Sequence, residues 1–219
     1  MTDGIILIDK PSGMTSFGVV ARVRRVLSKA SGKKIKVGHT GTLDPFATGL
    51  MILVIGNECK NAQHYSKLDK TYQATICLGK ISSTGDSEGD IRNISESVPS
   101  IDEINTVLER FKGEIEQKPP IFSAIKINGQ RAYHLARQGQ MIDMPIRTVN
   151  IYYLDLIKYE YPYLIIRTKV SSGTYIRTLA SDIGNVLNTG AYCTQLRRLA
   201  IADWKVEQAK TLADMSIDS

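Results

Sequence analysis

Lys36-Val-Gly-His-Thr-Gly-Thr-Leu-Asp-Pro-Phe-Ala-Thr-Gly49 is the stretch from which the rest of the chain can be read. It holds three glycines, one histidine, one carboxylate and four positions filled by threonine or proline. No helical or strand period fits it, so it reads as a loop. Two apolar runs, Gly4 to Ile8 upstream and Leu50 to Ile55 immediately downstream, read as buried strands that hold it rigidly. Loops set on a buried scaffold are a common seat of chemistry. Gly38, Gly41 and Gly49 admit positive φ or the close approach of another backbone. Pro45 fixes the chain after Asp44 and biases Asp44 toward extended backbone, which aims one carboxylate in one direction. The residues alone leave two readings open: Asp44 as a reacting group, or Asp44 bonding the backbone amides of a turn.

Upstream, Gly4-Ile-Ile-Leu-Ile-Asp9 is a short apolar strand and Lys10-Pro-Ser-Gly13 ends it with turn chemistry. Thr15 or Ser16 then N-caps a helix in which Val19, Val20, Val23, Val26 and Leu27 recur at helical spacing. From Arg22 to Lys36 the chain carries seven basic residues (Arg22, Arg24, Arg25, Lys29, Lys33, Lys34 and Lys36) and no acidic one. Such a run is usually a solvated face. Because this one leads into the His39–Asp44 loop, it reads here as an electrostatic guide for phosphates.

Downstream, Thr71-Tyr-Gln-Ala-Thr-Ile-Cys-Leu78 alternates and is rich in β formers. Ser82 to Asp90 is a polar loop; Thr84, Asp86 and Glu88 lack a calcium-loop pattern. Ser100-Ile-Asp-Glu103 is a capping box opening a helix with Ile104, Val107, Leu108 and Phe111 on one face. Lys118 to Ala136 reads KPPIFSAIKINGQRAYHLA, with Ile121–Ile127 strand-like, Asn128-Gly129 a turn signal, and Gln130–Gln138 a short helix closed by Gly139. Lys126, Arg131, Arg137 and Arg147 make this region basic. Thr148–Leu156 and Tyr163–Val170 read as paired strands. Ser171-Ser-Gly-Thr-Tyr-Ile-Arg177 leads into a helix with Ile176, Leu179, Ile183 and Leu187 inward. Tyr175 and Arg177, two apart, face one pocket if the backbone there is extended. Gln195-Leu-Arg-Arg-Leu-Ala200 runs into a strand carrying Trp204.

GHTGTLDPFATG resembles the signature of the TruB-type pseudouridine synthases, in which the aspartate is catalytic. Gly4-x4-Asp9-Lys10-Pro11-x-Gly13-x-Thr15-Ser16, the KPPIFSAIKINGQRAYHLA segment and Gly173-Thr-Tyr-Ile-Arg177 are similar to further family segments, so the resemblance runs from about Gly4 to about Leu199. It implies Asp44 acting at the ribose, Tyr72 stacking on the target base, Arg177 as the counter-ion of Asp44, and Tyr175 and Leu196 lining the base pocket. His39 would fill the space that the flipped nucleotide vacates, although a histidine there can also serve as a base. Lys10 or Asp9 would pack under the loop. Lys60 aligns with a family lysine on the substrate side, but Glu58 and Cys59 replace the small residue and threonine that usually precede it. The implied fold is α/β of the α+β type: a single catalytic domain with a mixed, mainly antiparallel central sheet flanked by helices. An RNA-contacting insertion is expected at about 118–147. The implied substrate is the uridine at position 55 in the T loop of tRNA. No cofactor, metal or obligatory protein partner is called for, and a monomer is expected. The family's usual C-terminal PUA-type domain has no counterpart, so a short form or a truncation is expected. A guide-RNA-dependent, dyskerin-like synthase and a tRNA-folding RNA-binding protein stand as alternatives.

Composition fits these expectations. The chain has 219 residues, 42% hydrophobic and 23% charged, as in ordinary globular proteins. Its 28 Lys+Arg against 22 Asp+Glu give a net charge of +6, which favours a polyanionic partner. Cys59, Cys77 and Cys193 are far apart, which argues against a disulfide framework or zinc site and fits a reducing cytoplasm. No apolar run approaches the ~20 residues of a membrane span, and no signal segment opens the sequence.

Overall fold

The computed structural model describes residues 3–123, 125–127, 129–140 and 142–216, without the side chain of Arg137. In chain order the strands are β1 (Gly4–Lys10), β2 (Val37–His39), β3 (Thr48–Ile55), β4 (Lys70–Leu78), β5 (Lys80–Ser82), β6 (Ile91–Asn93) and β7 (Gly113–Gln117). There follow β8 (Lys126–Ile127), β9 (Gln130–Arg131), β10 (Arg147–Glu160), β11 (Tyr163–Val170), β12 (Ala191–Ile201) and β13 (Trp204–Lys205). The helices are α1 (Ser16–Ser31), α2 (Ala62–Ser66), α3 (Ile101–Arg110), α4 (Ala132–Arg137) and α5 (Ile176–Val186). The fold is mixed α/β of the α+β type, with a central, mostly antiparallel sheet flanked by helices. The chain forms two compact units: Met1–Tyr72 with Arg197–Ser219, and Gln73–Leu196.

In the first unit the two apolar runs beside the aspartate loop pair with each other. β1 lies antiparallel to β3, from Gly4 opposite Ile55 to Lys10 opposite Gly49. β2 also pairs with β3, His39 facing Leu53. The end of β12 joins β3 in parallel, with Arg197 opposite Thr48 and Arg198 opposite Gly49. Every β3 residue from Gly49 to Ile55 is buried, which is why the strand is an unbroken apolar run rather than an alternating one. Leu50 and Ile52 pack with Ile201 and Val206, and Tyr65, Leu68 and Trp204 close over them.

Helix α1 buries Val19, Val20 and Val23, as its spacing predicts. Thr15, not Ser16, is the N-cap: its Oγ1 accepts from the Gly18 amide at 3.0 Å. Of the three loop glycines, Gly49 uses the conformational freedom expected of them. Its φ is +106°, and a Cβ there would lie 2.3 Å from the Arg198 carbonyl oxygen. At Gly41 a Cβ would meet Arg198 Nη1 at 3.5 Å, an ordinary contact.

In the second unit β12, β4, β11, β10 and β7 lie side by side in that order. β10 and β11 form the expected antiparallel pair, Ile151 opposite Val170 through Glu160 opposite Tyr163. The capping box at Ser100 and Glu103 is present, and α3 buries Ile104, Val107 and Leu108. α5 buries Ile176, Leu179 and Ile183.

The region from Lys118 departs from its reading. Among the described residues of the Ile121–Ile127 stretch, only Lys126 and Ile127 are in a strand, paired with Gln130 and Arg131. The carbonyls of Phe122, Ser123 and Ile125 are taken by the Arg177 guanidinium and by the amides of Tyr133 and Ala132, so no neighbouring strand can use them. The helix begins at Ala132 because Gln130 and Arg131 are committed to β9, and Gly139, at φ +72°, follows its end. Asn128 of the expected turn lies outside the described residues.

Gly49→Ala puts a methyl group into the β3–β12 backbone contact and a side chain at a positive φ. The variant should lose at least about 2 kcal/mol of stability, from strain and overpacking together. Urea denaturation followed by far-UV circular dichroism measures the loss.

Candidate active site

The Asp44 loop is held from below by buried polar groups of the first unit. Ser16 Oγ donates to the Leu43 carbonyl at 2.9 Å and accepts from the Leu43 amide at 2.8 Å, which pins the residue before Asp44 at both backbone groups. The Lys10 ammonium, fully buried, donates to the carbonyls of Pro45 (3.1 Å), Pro11 (2.8 Å) and Met14 (2.6 Å). The Gly13 amide also reaches Pro45 O, and Ser12 Oγ reaches Phe46 O at 3.0 Å. On the β12 side, Arg198 Nε donates to Leu50 O at 2.6 Å and Nη2 to Gly41 O at 3.1 Å, with Arg198 only 1% exposed. Lys10 therefore takes the place under the loop that was open to either Lys10 or Asp9. Asp9 instead makes a bidentate pair with Arg197, at 2.7 and 3.1 Å. Asp44 itself is half-buried.

His39, at the end of β2, opens an exposed depression that it lines with Thr40, Gly41, Thr42, Ala62, Gln63 and Ser66. Lys60 is exposed on the 3-10 turn Gly56–Asn61. The departure from the family pattern beside it has a local explanation. Glu58 accepts from Tyr65 Oη at 2.8 Å and Asn61 Nδ2 at 3.0 Å, tying this turn to α2. Tyr72 is buried on β4, in the same unit as His39, Asp44 and Lys60.

Tyr175, Arg177 and Leu196 belong to the second unit. Tyr175 is the extended residue before α5. The buried Gln117 amide grips its backbone, accepting from Tyr175 N at 2.7 Å and donating to Tyr175 O at 3.1 Å. Arg177 is already helical, so the extended backbone on which the shared direction of Tyr175 and Arg177 depends is met at Tyr175 alone. The Arg177 guanidinium is 4% exposed. It donates to Thr84 O (2.7 Å), Phe122 O (2.8 Å) and Asp86 Oδ2 (3.1 Å). The other Asp86 oxygen accepts from Thr84 Oγ1 and from the Glu88 amide. Leu196 is buried on β12.

Asp86 is the partner of Arg177 that the sequence did not disclose. Its position in a Ser/Thr/Gly loop marked it as polar, but nothing in the chain links it to a cation 91 residues away. Lys70 is the other omission. It reads as part of a polar connection, yet it is 7% exposed, and burial followed by the nearby Arg198 charge lowers its pKa to about 8, with Asp69 opposing.

The sequence profile of the TruB family pseudouridylate synthase, N-terminal domain, matches residues 24–176. The chain is 45% identical to tRNA pseudouridine synthase B of Azoarcus sp. (strain BH72), over 97% of its own length and 69% of that protein. It is 43% identical to tRNA pseudouridine synthase B of Chlamydia trachomatis serovar L2, over 94% of this chain and 83% of the other. Among solved structures, a chain of the crystal structure of a Cbf5-Nop10-Gar1 complex superposes with a TM-score of 0.74 at 32% identity, covering 96% of this chain and 53% of that one. The chain thus spans about half the length of that solved neighbour. A mostly antiparallel sheet carrying a clamped aspartate loop, with these likenesses, is the architecture of a pseudouridylate synthase. The chain belongs to the TruB family.

Two outcomes follow from the buried charges. Asp86→Asn keeps the shape but removes the charge of one acceptor of the Arg177 guanidinium, which should cost about 1–3 kcal/mol by urea denaturation. For Lys70 the folded pKa of about 8 lies below the value of 10.5 for an unperturbed lysine. The folded state therefore binds fewer protons than the unfolded state between these values, and stability rises with pH across that window. The stability of the protein relative to Lys70→Met should increase from pH 8 to pH 10.5, as measured by parallel denaturation at each pH.

Proposed function

We propose that this protein is a tRNA pseudouridine synthase that isomerises the T-loop uridine at position 55. What supports the reading is the 45% identity to a tRNA pseudouridine synthase B across 97% of the chain, together with an aspartate loop whose backbone is clamped on several sides. The reaction breaks the N1–C1′ bond, turns the uracil, and joins C5 to C1′; the C5 proton is released and N1 is protonated. The detached ring has to be kept from leaving, and the sugar needs one anion beside it.

Asp44 is the catalytic residue in this proposal. It either adds to C1′ or removes a proton from C2′ to give a glycal. Arg177, oriented by Asp86, supplies the counter-charge that keeps Asp44 ionised during the reaction. Tyr72 stacks on the uracil and relays a proton, and Tyr175 and Leu196 wall the base. Extruding a stacked uridine costs a few kcal/mol, and His39 fills the gap that it leaves. Lys60 and the seven cations of the Arg22–Lys36 run bind phosphates flanking the target. The 118–147 region, whose basic side chains include Lys126, Arg131 and Arg147, closes on the T arm. The enzyme acts as a monomer in the cytoplasm, without cofactor or obligatory protein partner. No described helix is long and apolar enough to cross a membrane.

Incubating the purified protein with unmodified tRNA and mapping pseudouridine tests the reading. One product at position 55 is expected, and none with Asp44→Asn. His39→Phe should retain turnover that His39→Ala loses; loss of turnover in both variants would make His39 an acid–base group. A wild-type protein that forms no pseudouridine in tRNA rules the proposal out.

A further inference from the structure

Lys70 is a buried cation that the reaction as proposed does not use. Its ammonium donates to Ser66 O at 2.6 Å and to Leu68 O, two carbonyls at and just beyond the end of α2. Burying an ammonium is costly unless it is hydrogen-bonded, and removal from water is the main reason that its pKa falls. The charges acting on it are those of Arg198 and Asp69, and they oppose each other. A leucine or methionine would fill an apolar strand position without this penalty, so the lysine is explained by what it holds.

Two parts of the first unit meet at this side chain. One is α2, whose Ala62, Gln63 and Ser66 form one wall of the depression opened by His39. The other is β4, where the burial pattern alternates from Lys70 through Ile76. Successive side chains of a strand point to opposite faces, so Lys70 and Tyr72 share one buried face. The Lys70 side chain therefore staples the strand that carries Tyr72 to the helix beside His39. Between Ser66 and Lys70 the main chain has one apolar anchor, Leu68, which packs on the Leu50 and Ile52 core; Lys67 is exposed, and Ser66 and Asp69 have no apolar side chain to bury.

We infer that Lys70 is a positioning residue for the candidate active site, fixing Tyr72 and the α2 wall of the His39 depression relative to each other through its bonds to Ser66 O and Leu68 O. The inference rests on the proposed function for its kinetic consequence but not for its structural one. A displacement of about 1 Å in a positioning group can cost about 100-fold in rate.

The experiment compares wild type, Lys70→Met and Lys70→Gln, each well below its melting temperature. The first readout is single-turnover pseudouridine formation alongside tRNA binding. Lys70→Met should slow the chemical step about tenfold or more with tRNA affinity within about twofold. Lys70→Gln, which keeps a donor, should recover part of the rate. The second readout is amide hydrogen exchange of the segment 62–73. Protection there should fall in Lys70→Met while β1 and β3 keep theirs. Unchanged exchange in 62–73, or loss of protection throughout the unit, overturns the inference whatever the activity. Rate and affinity falling together also overturn it, by making Lys70 an RNA contact. If wild type makes no pseudouridine, the proposed function fails and the exchange result alone decides this inference. If Lys70→Met does not fold, the exchange comparison is made between wild type and Lys70→Gln.

Discussion

The candidate site depends on buried cations that donate to backbone carbonyls. Lys10 and Arg198, both essentially inaccessible, together satisfy five carbonyl oxygens in and around the turn that carries Asp44. A loop with three glycines and little regular hydrogen bonding would otherwise sample many conformations, at roughly 1–2 kcal/mol of entropy per residue fixed. Hydrogen bonds to a charged group contribute roughly 1.5–3 kcal/mol each, enough to hold such a loop in one course.

The second unit follows the same logic with one difference. Arg177 also donates to two main-chain oxygens, yet its third partner is a buried acid. Asp86 in turn is saturated by a threonine hydroxyl and a backbone amide. A planar guanidinium held at these points has little freedom to rotate, so it presents a fixed donor array. Gln117 does the equivalent for Tyr175, gripping its backbone rather than its ring. At Asp44 and Tyr175 orientation is imposed on the main chain, and the side chains inherit it.

How much of this was legible beforehand follows from the range of each interaction. β1, β3, α1, α3 and the β10–β11 pair were readable because apolar period, caps and turn residues are local signals. The aspartate loop and the GTYIR segment were readable because their strings are long. Lys10 was assigned a supporting role by its motif, although Asp9 was an equal candidate, and only the Arg197 pair separates them. Asp86 and Lys70 were not legible. A carboxylate in a small-residue loop and a lysine beside Asp69 look like solvated residues until the chain is folded over them. The Ile121–Ile127 stretch failed for a related reason: β propensity was correctly seen, but its carbonyls are consumed by Arg177 and by the start of α4, which no local pattern records.

The first unit is assembled from two segments far apart in sequence, Met1–Tyr72 and Arg197–Ser219. β3 obtains its parallel neighbour from residues about 150 positions later, and Arg198 reaches Gly41 and Leu50 from there. A chain emerging from the ribosome thus displays the GHTGTLD turn long before the guanidinium that braces it exists. The full set of braces is therefore completed late in biosynthesis, and a product cut short before Leu196 would hold the turn by Lys10, Ser12, Gly13 and Ser16 alone.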